Sequence, residues 1–121
     1  MAETARILIV DDDVNTRMAL TDLLTEDGYE VITAADGEEA LARVQKAKPS
    51  VVLMDIRLPG SDGYEVCRQI KQRQGLNTKV ILYTAYINAI NATKAKAVGA
   101  DDILGKSSDF SNMRNAIRDL V

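Results

Sequence analysis

Ile7-Leu8-Ile9-Val10-Asp11-Asp12-Asp13 sets the reading of this chain: four aliphatic residues in unbroken succession, then three carboxylates. Two further runs share the shape. Val51-Val52-Leu53-Met54 leads into Asp55, and Val80-Ile81-Leu82-Tyr83 leads into Thr84. Hydrophobicity that is continuous rather than alternating predicts strands covered on both faces, as in a parallel sheet. Tyr29–Ala34 and Asp101–Leu104 are weaker strand candidates, and Lys106 follows the second of them closely.

Helical segments separate these strands. Asp36 with Glu39 makes a capping-box pattern ahead of Ala40, Leu41 and Val44, with Pro49 past the end. Asp62 with Glu65 repeats it ahead of Val66, Cys67 and Ile70, with Gly75 as the expected stop. The first helix is expected to bury Leu20, Leu23 and Leu24 and to end before Gly28. The last carries Phe110, Met113, Ile117 and Leu120 in one stripe. Asn88, Asn91, Lys94 and Lys96 fall on the expected solvated face of the fourth helix. Strand and helix thus alternate five times. Right-handed crossovers then predict an α/β fold, a doubly wound five-stranded parallel sheet with five helices on its two faces. No Ser/Pro-rich linker, long charge run or repeat divides the chain, so residues 1–121 are expected to form one domain.

The chain has 121 residues, a net charge of -3, 46% apolar residues and one cysteine, Cys67. Four tyrosines and one phenylalanine leave the core to aliphatic side chains. The absence of histidine removes His-ligated zinc, the Ser-His-Asp arrangement and a phosphohistidine-donor role. Cys67 forms no internal disulfide and is compatible with a reducing cytoplasm. Clean apolar runs of only four residues, and a poor signal-peptide start over Met1–Arg6, argue against membrane insertion or secretion. Mild acidity gives no electrostatic footprint for nucleic acid. A small soluble cytoplasmic domain is expected.

In open α/β sheets, sites form at the carboxyl ends of the strands. Here those ends carry Asp11, Asp12 and Asp13, then Asp55, Thr84 and Lys106. Clustered carboxylates repel unless a cation sits between them, and an all-oxygen cluster without His or Cys suits Mg2+ better than zinc. A lysine and a hydroxyl beside that metal are what a phosphoryl group needs to spread its charge. Taken singly, the residues have plainer readings. Asp11–Asp13 would serve as a helix cap, Asp55 as a turn residue, Thr84 as an ordinary strand end and Lys106 as a solvated lysine. Gly60, Gly63 and Gly105 read as backbone freedom near the site, and Cys67 as core. The constellation favours a Mg2+-dependent phosphate site.

Val10-Asp11-Asp12-Asp13, Leu53–Gly60 with Asp62-Gly63, Tyr83-Thr84-Ala85 and Lys106 together resemble the receiver domain of two-component response regulators, over essentially the whole chain. The resemblance implies the flavodoxin-like strand order 2-1-3-4-5 and phosphorylation of Asp55 by a histidine kinase or histidine phosphotransferase. It implies that Asp12 and Asp55 bind Mg2+ directly, Asp11 mainly through water, and the backbone carbonyl of Arg57 as a further ligand. Lys106 would pair with the phosphate, and Thr84 would hydrogen-bond it and report its presence. The domain would be a signalling module that catalyses its own phosphorylation and slow dephosphorylation, not an enzyme. A downstream protein would dock on the face made by the fourth helix, fifth strand and fifth helix, with no direct nucleic-acid or membrane contact.

Two departures from the family pattern bear on the switch. The aromatic expected three residues before the lysine is Ile103, and the proline expected after the lysine is Ser107. Without proline a cis peptide at Lys106-Ser107 costs about 2.5–4 kcal/mol, a cost that favours trans. The switch is then expected to shift onto Tyr86 and the fourth helix. Arg57 and Tyr86 are expected to flank the water path to the phosphate and slow its loss. Two other functions compete. A haloacid-dehalogenase-like phosphatase would use Asp11 and Asp13, but the residues after them and the order of its lysine do not fit. A phosphorylation-independent receiver-like adaptor is the alternative that the departures keep open.

Overall fold

The structure is a computed structural model that describes residues 4–73, 77–106 and 110–121. The expected helix stop at Gly75 and the position of Ser107 lie outside the described residues. Five parallel strands form the sheet: β1 (Arg6–Val10), β2 (Glu30–Ala34), β3 (Val51–Asp55), β4 (Lys79–Thr84) and β5 (Asp102–Gly105). Their spatial order is β2-β1-β3-β4-β5, the expected 2-1-3-4-5. Helices α1 (Val14–Glu26), α2 (Gly37–Ala47), α3 (Gly63–Gln72), α4 (Ala92–Ala97) and α5 (Ser111–Leu120) alternate with them. One antiparallel hairpin, Arg57–Leu58 against Ser61–Asp62, stands between β3 and α3 and is absent from the sequence reading. Among the described residues, no helix is long and apolar enough to cross a membrane.

The continuous apolar runs are explained by a core on each side of the sheet. Leu8, Val10, Val52, Met54, Val80 and Leu82 are buried among residues of α2, α3 and α4. Their neighbours Ile7, Ile9, Val51, Leu53, Ile81 and Tyr83 are buried among residues of α1 and α5. Successive side chains along a strand point to opposite faces, so each run must be apolar throughout to fill both cores.

Local signals place the helix starts. Asp13 caps α1, its side chain accepting from the Asn15 N–H, and Asp36 caps α2 through the Glu39 N–H at 2.8 Å. Glu39 reaches back to the Ala35 N–H at 2.7 Å, which closes a capping box displaced by one residue. At α3 the box stays open. Asp62 accepts from the Tyr64 N–H at 2.9 Å, but Glu65 pairs with Arg68 instead. The α5 start carries no side-chain cap: Phe110 occupies the cap position with φ 56° and lies just outside the helix. Leu20 and Leu24 are buried as expected, whereas Leu23 is only half-buried. β2 starts one residue later than the sequence suggests, because the Tyr29 N–H closes the end of α1 on the Leu24 carbonyl at 3.1 Å. β5 is likewise displaced. The Asp101 carboxylate accepts from the Val80 N–H at 2.8 Å and pairs with Lys71 Nζ at 2.7 Å, which holds it outside the strand.

Cys67 is fully buried on α3, and burial pushes its thiol up to about 11. The thiolate is the reactive form, so at pH 8 the native chain should be alkylated by iodoacetamide at least about a hundredfold more slowly than the urea-unfolded chain. Mass spectrometry of timed quenches checks this, and equal rates would contradict the burial.

Candidate functional site

The strand register brings the expected residues to one edge. Val10 lies beside Met54, Asp55 beside Tyr83, and Thr84 beside Gly105. The next step along each chain therefore presents Asp11 and Lys106 on the same rim as Asp55 and Thr84. Asp11, Asp12 and Asp55 each bring one carboxylate oxygen within 4.8 Å of the others. Asp11 and Asp55 are buried, and Asp12 is exposed. Lys106 Nζ donates to Asp11 Oδ2 at 2.9 Å and to Asp55 Oδ2 at 3.4 Å, so a single ammonium group bridges two buried carboxylates.

Backbone groups hold those carboxylates in place. The Asp13 N–H donates to Asp11 Oδ1 at 2.9 Å, and the Arg57 N–H donates to Asp55 Oδ1 at 3.0 Å. Arg17 Nη1, from the first turn of α1, donates to the Asp11 carbonyl at 2.6 Å and fixes the loop between β1 and α1. Burial pushes the Asp55 carboxyl above its usual value; the Arg57 N–H and Lys106 oppose the shift, and Asp11 adds to it. Burial also works against the Lys106 ammonium, but the Asp11 hydrogen bond and the two carboxylate charges outweigh it and raise its pKa. A partly desolvated carboxylate kept near a cation is suited to act as a nucleophile. Three carboxylates with no nitrogen or sulfur donor form a hard-oxygen set of the kind that binds Mg2+.

Thr84 is fully buried; its Oγ1 accepts from the Tyr86 N–H at 3.0 Å, and its carbonyl accepts from the Lys106 N–H at 2.9 Å. The Arg57 guanidinium lies over the Tyr86 ring, 4.2 Å from its centroid, which puts these two long side chains together. Ile103 is not part of this group. It packs partly buried against the core under α2, α3 and α4.

Two tyrosines of the site are missed by sequence reasoning. Tyr83 OH donates to Asp11 Oδ2 at 2.7 Å from the α1/α5 side. Burial, with the Asp11 charge beside it, raises this phenol well above its ordinary value, so it remains a donor. A tyrosine inside a fully buried strand needs a polar partner, and that was the available signal. Tyr64 OH donates to the Ala89 carbonyl at 2.6 Å and accepts from the Asn91 N–H at 2.9 Å, tying α3 to the loop before α4. Lys94 of α4 adds a contact over the Tyr64 ring, 4.7 Å from its centroid, and an exposed pair with Asp62 at 3.4 Å.

The chain matches the response regulator receiver domain family over residues 7–118. It is 35% identical over 113 residues to the sporulation initiation phosphotransferase F of Bacillus subtilis, covering 93% of this chain and 90% of that protein. The probable transcriptional regulator ycf27 of Cyanophora paradoxa is 36% identical over 116 residues, 96% of this chain and 48% of that protein. The chain thus spans about half the length of several curated relatives it matches. Among solved structures, the response regulator TrrA of Thermotoga maritima in complex with Mg(2+)-BeF superposes with a TM-score of 0.89 at 36% identity, over 98% of this chain and 100% of that one. The same regulator in complex with the histidine kinase ThkA gives a TM-score of 0.85 at 37% identity, over 98% and 99%.

Gly63 seats α3 against the loop that carries Asp55. A Cβ there would lie 2.3 Å from the Asp55 carbonyl oxygen and 2.7 Å from Ile56 Cα, both backbone atoms that cannot move aside cheaply. Gly63→Ala should therefore cost about 1–3 kcal/mol in urea unfolding, and it should weaken Mg2+ binding because Asp55 is displaced. Unchanged stability and unchanged Mg2+ affinity would show that the close approach does not matter.

Proposed function

The chain belongs to the receiver-domain family of two-component response regulators, and from that premise we propose that Asp55 accepts a phosphoryl group from a phosphohistidine. The donor would be a histidine kinase or histidine phosphotransferase. One observation carries this reading. A buried carboxylate, Asp55, stands at a strand end with two more carboxylates and the Lys106 ammonium, and the three carboxylate oxygens lie within 4.8 Å of one another. The relative crystallised with the histidine kinase ThkA supports the partner class, and the relative named a phosphotransferase supports the chemistry. Residues 1–121 act in this reading as one receiver domain in a cytoplasmic setting, where Cys67 stays reduced.

In the transfer, an Asp55 carboxylate oxygen attacks phosphorus in line. The O–P bond of an acyl phosphate forms, the P–N bond to the imidazole breaks, and its electron pair stays on the departing nitrogen. The Arg57 N–H on Oδ1 holds the carboxylate plane during attack. Lys106 leaves its bridge to meet the new phosphoryl oxygens with charge-assisted hydrogen bonds. Thr84 exchanges the Tyr86 N–H for the phosphate through its hydroxyl. Asp12 and Asp55, Asp11 through water, and the Arg57 backbone carbonyl would hold Mg2+, which would supply positive charge to offset the negative charge of the transferred group.

The Arg57–Tyr86 stack supports the shielding of the phosphate. Neither side chain orients a water as a carboxylate or carboxamide would, and the chain has no histidine to act as base. Slow self-catalysed dephosphorylation follows. Ile103 has no ring to swing, so the signal would leave the site through Thr84, Tyr86 and the loop before α4, toward a downstream protein docked on the α4–β5–α5 face. The Tyr64 bonds to Ala89 and Asn91 support that route, since they anchor the same loop.

Incubation with acetyl phosphate and Mg2+ followed by mass spectrometry tests the reading. One hydroxylamine-labile phosphate should appear on Asp55, and Asp55→Asn should abolish it. A phosphorylation-independent adaptor would take up none, and a hydrolase would turn over the donor without holding it. The double variant Arg57→Asn with Tyr86→Glu should lose its phosphate about tenfold faster or more, with Mg2+ affinity unchanged. An equal lifetime would remove the shielding role.

A further inference from the structure

The Asp11 carboxylate has a buried partner that the chemistry above does not use. Tyr83 OH and Lys106 Nζ donate to the same oxygen, Asp11 Oδ2, at 2.7 and 2.9 Å. Lys106 also rests over the Tyr83 ring, 4.8 Å from its centroid. Asp11 and Tyr83 are both 0% exposed, so apart from a water carried on Mg2+ no solvent replaces a donor that leaves this oxygen. The Tyr83 ring is fixed among Ile9, Leu53, Ile81 and Met113 on the α1/α5 side, opposite the side that Ile103 faces. It therefore cannot swing as a substitute for the missing ring at Ile103. What it offers is its hydroxyl.

An ammonium that moves from Asp11 to a phosphoryl group on Asp55 strips a buried carboxylate of one of its donors. A buried acceptor left short of partners costs free energy, and a charged one costs more. The phenol remains in place throughout, because β4 pins its backbone beside Asp55. We infer that Tyr83 is a positioning residue for phosphoryl acceptance: its hydroxyl holds Asp11 Oδ2 satisfied and oriented while Lys106 is handed from Asp11 to the phosphoryl group. This rests on the reading of Asp55 as the acceptor. It adds a residue one position before Thr84, on the opposite side of the sheet from the switch route. Before the handover Lys106 and Tyr83 share the oxygen, so loss of the hydroxyl is tolerated. After it the hydroxyl is the side-chain donor left there, so the loss is felt.

Tyr83→Phe keeps the buried ring and removes the donor; Tyr83→Met keeps apolar bulk and serves as a second variant should the first misfold. Calorimetry measures Mg2+ affinity alone, then the affinity for beryllofluoride, a phosphoryl mimic, at saturating Mg2+. Mg2+ affinity should stay within about twofold of the parent, while beryllofluoride affinity should fall about tenfold, the scale of a lost hydrogen bond to a charged group. A role in packing alone would weaken both affinities together or neither, and either result overturns the inference. Failure of the parent chain to bind beryllofluoride would sink the Asp55 reading and this inference with it. Uptake by the parent with equal affinity in Tyr83→Phe would sink only the role of Tyr83.

Discussion

Asp11 and Asp55 are carboxylates buried at the ends of adjacent strands, and Lys106 Nζ reaches both, at 2.9 and 3.4 Å. Removed from water, two like charges this close repel strongly unless a cation lies between them. The lysine meets that need in the metal-free chain, and it follows directly on β5, beyond β4 in the sheet. The bridge therefore ties the β1, β3 and β5 ends together across the rim. The same arrangement is suited to exchange: a divalent cation would share the carboxylate charge, and the ammonium would then be available to a phosphoryl group. A buried ion pair is often a poor source of stability, and its value here lies in that exchange.

The surrounding structure follows from keeping this cluster in register. Gly63 lets α3 approach the backbone of Asp55 closely, and the Gly63 N–H donates to the Ile56 carbonyl at 2.8 Å. The first turn of α3 then carries Tyr64 to the Ala89 carbonyl, so the loop before α4 is anchored to the segment that carries Asp55. Thr84 ties the same loop to Lys106 through its own backbone and hydroxyl. Two mechanical paths leave Asp55 for α4. Neither needs a ring at Ile103.

The fold was legible because its strongest signals are also its strongest energetics. Unbroken aliphatic runs such as Ile7–Val10 are required by a sheet with a core on each face, and the carboxylates that end them stand at the rim where ligands bind. The residues of the candidate site were legible as types at strand ends, and the register brings Asp11, Asp55, Thr84 and Lys106 to one rim. What stayed hidden depends on a third dimension. No spacing rule tells that Tyr83 donates to a residue 72 positions away, or that Lys106 is shared between two carboxylates. Glu65 carries the capping-box signature yet pairs with Arg68, because a cation one turn along the helix competes for the same carboxylate. The hairpin at Arg57–Asp62 has its local signal in Pro59-Gly60, where Gly60 turns at φ 65°, but its two-residue strands are too short to read by pattern. The left-handed Phe110 has no local signal of the usual kind. The Arg57–Tyr86 stack joins two loops whose closeness only the register reveals.

In the metal-free site Lys106 is the counter-ion of Asp11 and Asp55, and a divalent cation would share that role. Thermal unfolding of the parent and of Lys106→Met, each in EDTA and in saturating Mg2+, tests it directly. Without the ammonium the two carboxylates are uncompensated, so the variant in EDTA should be less stable than the parent by on the order of 2 kcal/mol. Mg2+ should then raise the melting temperature of Lys106→Met more than that of the parent. An equal or smaller Mg2+-dependent rise in the variant would contradict the account.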